Sequence, residues 1–170
     1  MMAIALTLLS EKDMSRRLYL YDTFEGMSEP TADDTTFDGI PAEHLLKAEA
    51  KGTGIWHYAA LDDVRSNLAS TGYPVDRISY VQGRVEETVP GVVPEMISLL
   101  RLDTDWYEST RHELLHMYPR LVQHGVLIID DYGHFQGAKK ATDEYFSSRN
   151  PRPLLQRIDY TGRLVIKAES

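Results

Sequence analysis

The stretch from Ile97 to Tyr132 constrains the fold more than any other. Two short apolar runs, Leu99-Leu100-Arg101-Leu102 and Val126-Leu127-Ile128-Ile129, each stop on acid: the first on Asp103, the second on Asp130 and Asp131. Between them Leu114, Met117 and Leu121 recur at helical spacing, and Gly125 stands where a left-handed residue commonly closes a helix. Strand, helix and strand predict a βαβ unit with parallel strands and a right-handed crossover. Both sets of aspartates then fall at the carboxyl edge of one sheet, where open α/β sheets bind ligands. Asp103, Asp105, Asp130 and Asp131 would repel one another there unless a cation sits among them. Ligands that are all oxygen suit a hard ion such as magnesium or calcium. Taken singly, each of these acids also fits a helix cap.

The rest of the chain continues the α/β alternation. Ala3, Ile4, Ala5, Leu8 and Leu9 predict a helix over residues 3–14, with no capping residue before it. Leu18–Tyr21 reads as a strand ending on Asp22, where an acid in nucleotide-binding folds often holds ribose hydroxyls; a plain loop or cap aspartate is the competing reading. The Pro-, Thr-, Asp- and Gly-rich segment 26–42 is a long connection at the ligand edge, read as a lid or substrate wall. A short helix is expected over Ala42–Ala50, and a second on Leu61, Val64 and Leu68 with Asp62 and Asp63 in its first turn, ended by Gly72 and Pro74. Ile78–Gln82 is the next strand and 83–88 a turn. Ala138, Ala141 and Tyr145 mark a helix, and 154–158 with 163–167 flank a turn that predicts an antiparallel C-terminal hairpin. Of the histidines, His134 alone lies close enough to the acids to count as a weak candidate.

Composition enters as a set of exclusions. A length of 170 residues, 42% hydrophobic, suffices for one domain with a real core. A net charge of −8 without a basic run argues against nucleic acid and anionic membrane as partners. With no cysteine there is no disulfide, thiolate metal site or cysteine nucleophile. No apolar stretch approaches the roughly 20 residues that span a bilayer, and Met1-Met2 has no basic segment before it. The expectation is a soluble, cytoplasmic protein.

Three blocks carry a family resemblance: Y-D-T-F-E-G-M-S-E-P at 21–30, R-L-D-T-D-W-Y-E-S-T at 101–110 and L-I-I-D-D-Y at 127–132. Together they resemble the macrocin O-methyltransferase family, over nearly the whole chain. The resemblance implies a Rossmann-like methyltransferase fold and an enzyme that uses S-adenosylmethionine and Mg2+ to methylate a sugar hydroxyl of a glycosylated small molecule. It implies Asp103, Asp130 and Asp131 as magnesium ligands, Asp105 as general base, Asp22 as the acid on the cofactor ribose, and Gly83 and Arg84 on the adenine side. His134 is the alternative base. The oligomeric state is left open, a homo-oligomer among the options. Members of this fold begin with a strand and a glycine-rich loop, which the residues before Asp22 do not supply. The chain is therefore read as a single, N-terminally incomplete catalytic domain, expected to bind the cofactor weakly in this form. Two rival readings stand beside the enzyme: an inactive remnant, and a receiver-like phosphoacceptor domain, which would need a lysine at a late strand end facing the acids. Lys167 is the available one.

Overall fold

Apolar runs of strand length separated by helical spacing become, in the computed structural model, elements in the order α1 (Met2–Ser10), β1 (Leu18–Asp22), α2 (Ala42–Ala48), α3 (Leu61–Ala69), β2 (Ile78–Gln82), α4 (Val85–Thr88), β3 (Ile97–Leu102), α5 (Tyr107–His116), β4 (Leu121–Ile129), α6 (Gln136–Ser147), β5 (Gln156–Arg157) and β6 (Arg163–Ile166). Residues 1–48 and 59–168 are described; the last two residues of the expected 42–50 helix lie outside them. The chain divides into two units, Met1–Ser28 with Lys51–Arg84 and Glu29–Ala50 with Val85–Ser170.

In the first unit β1 and β2 pair in parallel, Leu18 opposite Ile78 and Asp22 opposite Gln82. Ala5, Leu18, Leu68, Tyr73 and Ile78 form its core, with Ile4, Leu8, Leu9 and Val64 packed against them. The Tyr73 hydroxyl keeps a partner by donating to the Arg16 carbonyl at 2.7 Å. Helix α1 ends at Ser10, four residues before the expected limit. Lys12 takes a left-handed φ of +59°, and the N–H groups of Lys12 and Asp13 close back onto Leu9 and Leu8. That is a Schellman closure with lysine in the place usually held by glycine, so no glycine signals it.

The second unit holds a mixed sheet in the order β3-β4-β6-β5. Strands β3 and β4 are parallel, as the βαβ reading requires, while β6 runs antiparallel to β4 and to β5, giving the expected hairpin. Leu100, Leu102, Leu127, Ile129 and Val165 are buried from the sheet, and Leu114, Met117, Ala138, Ala141 and Phe146 from the helices. Gly125 does not close a helix. Helix α5 stops at His116, because Pro119 has no N–H to continue it, and a 3-10 turn over Tyr118–Arg120 leads into β4. Leu121 therefore starts a strand. The register of β3 against β4 jumps from Ile97↔Leu121 to Leu99↔Val126, so Gly125 sits in an irregular bulge beside His124 at φ +63°. A Cβ at Gly125 would press within 2.9 Å of the Leu121 side chain. The segment 83–88, expected as a turn, contains the one-turn helix α4 with Val85 buried.

The long connection is tied down at Asp34, which is 1% exposed. Its Oδ2 accepts from the Thr31 N–H and hydroxyl at 2.7 and 2.9 Å, and its Oδ1 accepts from the Tyr107 N–H at 2.7 Å. Asp34 thus caps the start of α5 from a distant loop. The carboxylate lies so close to Gly137 of α6 that a Cβ there would overlap it. No helix among the described residues is long and apolar enough to cross a membrane.

Candidate active site

Parallel pairing is what gathers the acids. The Asp130 N–H donates to the Leu102 carbonyl at 3.0 Å, carrying the ladder one step past the Leu102–Ile129 pair. Asp103 and Asp130 therefore emerge side by side where β3 and β4 end. One oxygen from each of Asp103, Asp130 and Asp131 lies within 4.8 Å of the others. Asp105 follows on a backbone with φ +66°, a left-handed geometry that aspartate accepts more readily than most residues. Its carboxyl group is electrostatically coupled to that of Asp131. Behind this turn, the Thr104 hydroxyl donates to Glu113 Oε2 at 2.9 Å, and Glu113 is 4% exposed on the inner face of α5.

Crowding and burial hold protons on these groups. Asp131 is pushed up to about 9, by burial first and then by the charges of Asp105 and Asp130. Burial likewise lifts Asp103 to about 7, helped by a hydrogen bond with Asp130 and opposed by Arg101. Asp105 rises to about 6, chiefly through burial. Burial takes Glu113 to about 8. The native state therefore binds these protons more tightly than the unfolded chain. Their contribution to stability is complete below the ordinary carboxylate range and is lost as pH rises through about 6 to 9. In chelator, the melting temperature should fall by several degrees between pH 5 and pH 9, and Glu113→Gln should flatten part of that slope. Thermal melts across the range check this; a flat or rising profile would refute it.

The donor set fits a hard divalent cation. All its atoms are carboxylate oxygens, and Asp131 Oδ2 is buried with no hydrogen-bond partner among the described residues. A buried acceptor left so is costly unless something positive completes it.

The remaining expected residues fall elsewhere. Asp22, the exposed last residue of β1, and Gly83, just past β2, belong to the first unit. The Gly83 N–H, at φ +132°, donates to the Asp22 carbonyl at 3.0 Å, so the two stand together at the carboxyl ends of β1 and β2. Asp22 Oδ1 accepts from the Phe24 N–H at 2.7 Å. Arg84 follows, exposed. The ring of His134 lies in an aromatic group with Phe37, Phe135 and Tyr160, while the backbone N–H of His134 donates to the Asp131 carbonyl at 3.0 Å. Lys167 points away from the acids: its Nζ donates to the carbonyl of Leu121 at 2.6 Å, at the opposite end of β4. Two participants escaped the sequence reading. Glu113 shares the α5 stripe of Leu114 and Met117, and that spacing could have marked it as buried. Arg101 lies two residues before Asp103 on an alternating strand, which could have marked it as a same-side neighbour.

Known proteins bear on this geometry. The structure of the O-methyltransferase NovP superposes with a TM-score of 0.82 at 23% identity, over 99% of this chain and 66% of that one, and so has the same fold. The tetracenomycin-series enzyme 8-demethyl-8-(2,3-dimethoxy-alpha-L-rhamnosyl)-tetracenomycin-C 4'-O-methyltransferase of Streptomyces olivaceus is 32% identical over 88% of this chain and 54% of its own length. Mycinamicin III 3''-O-methyltransferase of Micromonospora griseorubida is 30% identical over 86% of this chain and 56% of its own. The chain thus spans about half the length of the curated relatives it matches. The family profile described as Macrocin-O-methyltransferase (TylF) matches residues 1–166, and the chain belongs to that family.

Proposed function

We propose that the chain carries the acceptor and metal site of an S-adenosylmethionine-dependent O-methyltransferase acting on a sugar hydroxyl of a glycosylated small molecule. The observation that carries this reading is the meeting of Asp103, Asp130 and Asp131 at two parallel strand ends, with one buried oxygen of Asp131 unpartnered. These three would hold Mg2+. The cation, when bound there, would supply Lewis-acid polarisation of neighbouring hydroxyls, and the cofactor would supply a sulfonium methyl. Asp105 receives the proton that leaves the acceptor hydroxyl. Its left-handed turn places it just past Asp103, and its titration is coupled to that of Asp131. Asp22 with Gly83 and Arg84 would bind the ribose and adenine of the cofactor, as an acid at the end of such a strand does.

An apolar part of the substrate has a place to rest. Phe37 and Tyr160, 57% and 49% exposed, meet edge-to-face at 5.7 Å, with His134 6.1 Å from each. The Gly133 N–H donates to the Thr161 carbonyl at 2.9 Å, which joins this group to the turn bearing Asp131. Exposed aromatic faces of this kind suit the C–H face of a sugar or a planar aglycone. Lys167 donates to the Leu121 carbonyl at the opposite end of β4, which favours the methyltransferase reading over the receiver-like one.

The test is methyl transfer from labelled S-adenosylmethionine to a panel of rhamnosyl glycosides, with Mg2+ and with chelator. Label in a sugar O-methyl group only with the cation supports the reading. Full transfer in chelator removes the metal, and no transfer to any glycoside, with no cofactor binding, leaves the inactive remnant.

A further inference from the structure

The carboxylates that would hold the cation already hold one. Arg101 Nη1 donates to Asp103 Oδ2 at 2.5 Å and Arg101 Nη2 to Asp130 Oδ2 at 2.8 Å. One guanidinium thus spans the tips of β3 and β4, using both arms of its fork on two carboxylates that belong to neighbouring strands. Burial opposes the charge on Arg101, while Asp103, Asp130 and Asp131 favour it. A divalent ion drawn in by the same oxygens would stand within a few ångströms of that charge, and two cations at such range repel strongly where water is partly excluded. The side chain has somewhere to go, since all three groups are about two-fifths exposed, at 44, 46 and 38%.

We propose that Arg101 is a built-in competitor for the metal: its guanidinium and the divalent cation occupy the Asp103–Asp130 pair alternately, so that loading the metal releases Arg101. The arginine holds the acids together when no ion is present, and it sets a threshold cation concentration for activation. Once released, it stands free at the rim of the site. This rests on the metal reading given above, and the two fail differently.

Calorimetric titration of the chain with Mn2+ and with Mg2+, at pH 7.5, compares the native protein with Arg101→Gln and Arg101→Lys. Arg101→Gln should bind the ion at least tenfold more tightly, and its melting temperature in chelator should drop, recovering when the ion is added. Arg101→Lys keeps the charge without the fork and should fall between. On the native protein, the guanidinium 15N resonances of Arg101 should show slow rotation in chelator and fast rotation at saturating Mg2+. This readout needs no variant to fold. Equal or weaker metal binding by Arg101→Gln, or a guanidinium that stays immobile in saturating Mg2+, would overturn the competition while leaving the metal site standing. If Lys and Arg give the same affinity, bulk charge replaces the fork and the proposal fails. Absence of cation binding in every form overturns both.

Discussion

Asp105→Asn is expected to lower methyl transfer by about 10²–10⁴-fold, the usual contribution of a positioned general base. Affinity for the cation and for the cofactor should stay nearly unchanged. The substitution isolates basicity from shape. Asparagine tolerates the φ of +66° as well as aspartate does and keeps a side-chain oxygen in the same place. The loss should therefore appear in kcat rather than in KM, and the acidic limb of the pH–rate profile, set by a carboxyl near 6, should disappear. If Asp105 were a fourth ligand or a plain cap, the same variant would lose metal affinity or melting temperature instead. His134→Gln is the companion measurement. With its ring packed among Phe37, Phe135 and Tyr160, it should leave kcat almost untouched, any change falling on KM through the aromatic group.

Asp131→Asn should move function and stability in opposite directions. Removing the proposed ligand with an otherwise unpartnered buried oxygen should weaken the cation by at least about 10–100-fold, since even partners one layer out from a metal cost that much, and turnover should go with it. In chelator at pH 8–9, however, the variant should melt higher than the native protein. Asp131 is the acid pushed furthest up, to about 9, so ionising it is what strains the metal-free fold as pH rises. A neutral amide removes that strain. Metal binding by the native chain should correspondingly release protons and tighten as pH rises. Calorimetry in buffers of different ionisation enthalpy measures the release, and paired melts measure the inversion. A variant less stable than native at pH 9 in chelator would mean that Asp131 is structural.

The site was legible where a short-range rule decided the geometry. Strands that stop on Asp103 and Asp130 must, if parallel and adjacent, present both acids at one edge, and the pairing beyond Leu102 and Ile129 shows this. What periodicity could not supply was the interruption of a pattern. Leu121 keeps helical spacing with Leu114 and Met117, yet one proline ends the helix and the residue begins a strand. Gly125 looked like a cap because glycine serves both caps and bulges, and only the register against β3 separates them. Lys12 closes α1 without the glycine that would have signalled it. Asp34 was illegible for a different reason. Its partners stand three and 73 residues away, at Thr31 and Tyr107, so no window along the chain contains the reason for its burial.

That same Asp34 makes the long loop exchangeable in a defined way. Its carboxylate grips Tyr107, two residues past Asp105, and rests against a glycine of α6 that has no room for a side chain. Asp34 and Gly137 are therefore a matched pair, to be kept or replaced together. Residues on either side of Asp34, including Phe37, can be transplanted from a relative to alter the proposed acceptor wall, while the turn that carries Asp105, the proposed base, stays in register. A graft that brings a different residue to position 34, or a methyl to position 137, would import a new loop and lose the anchor that ties it to the turn bearing Asp105.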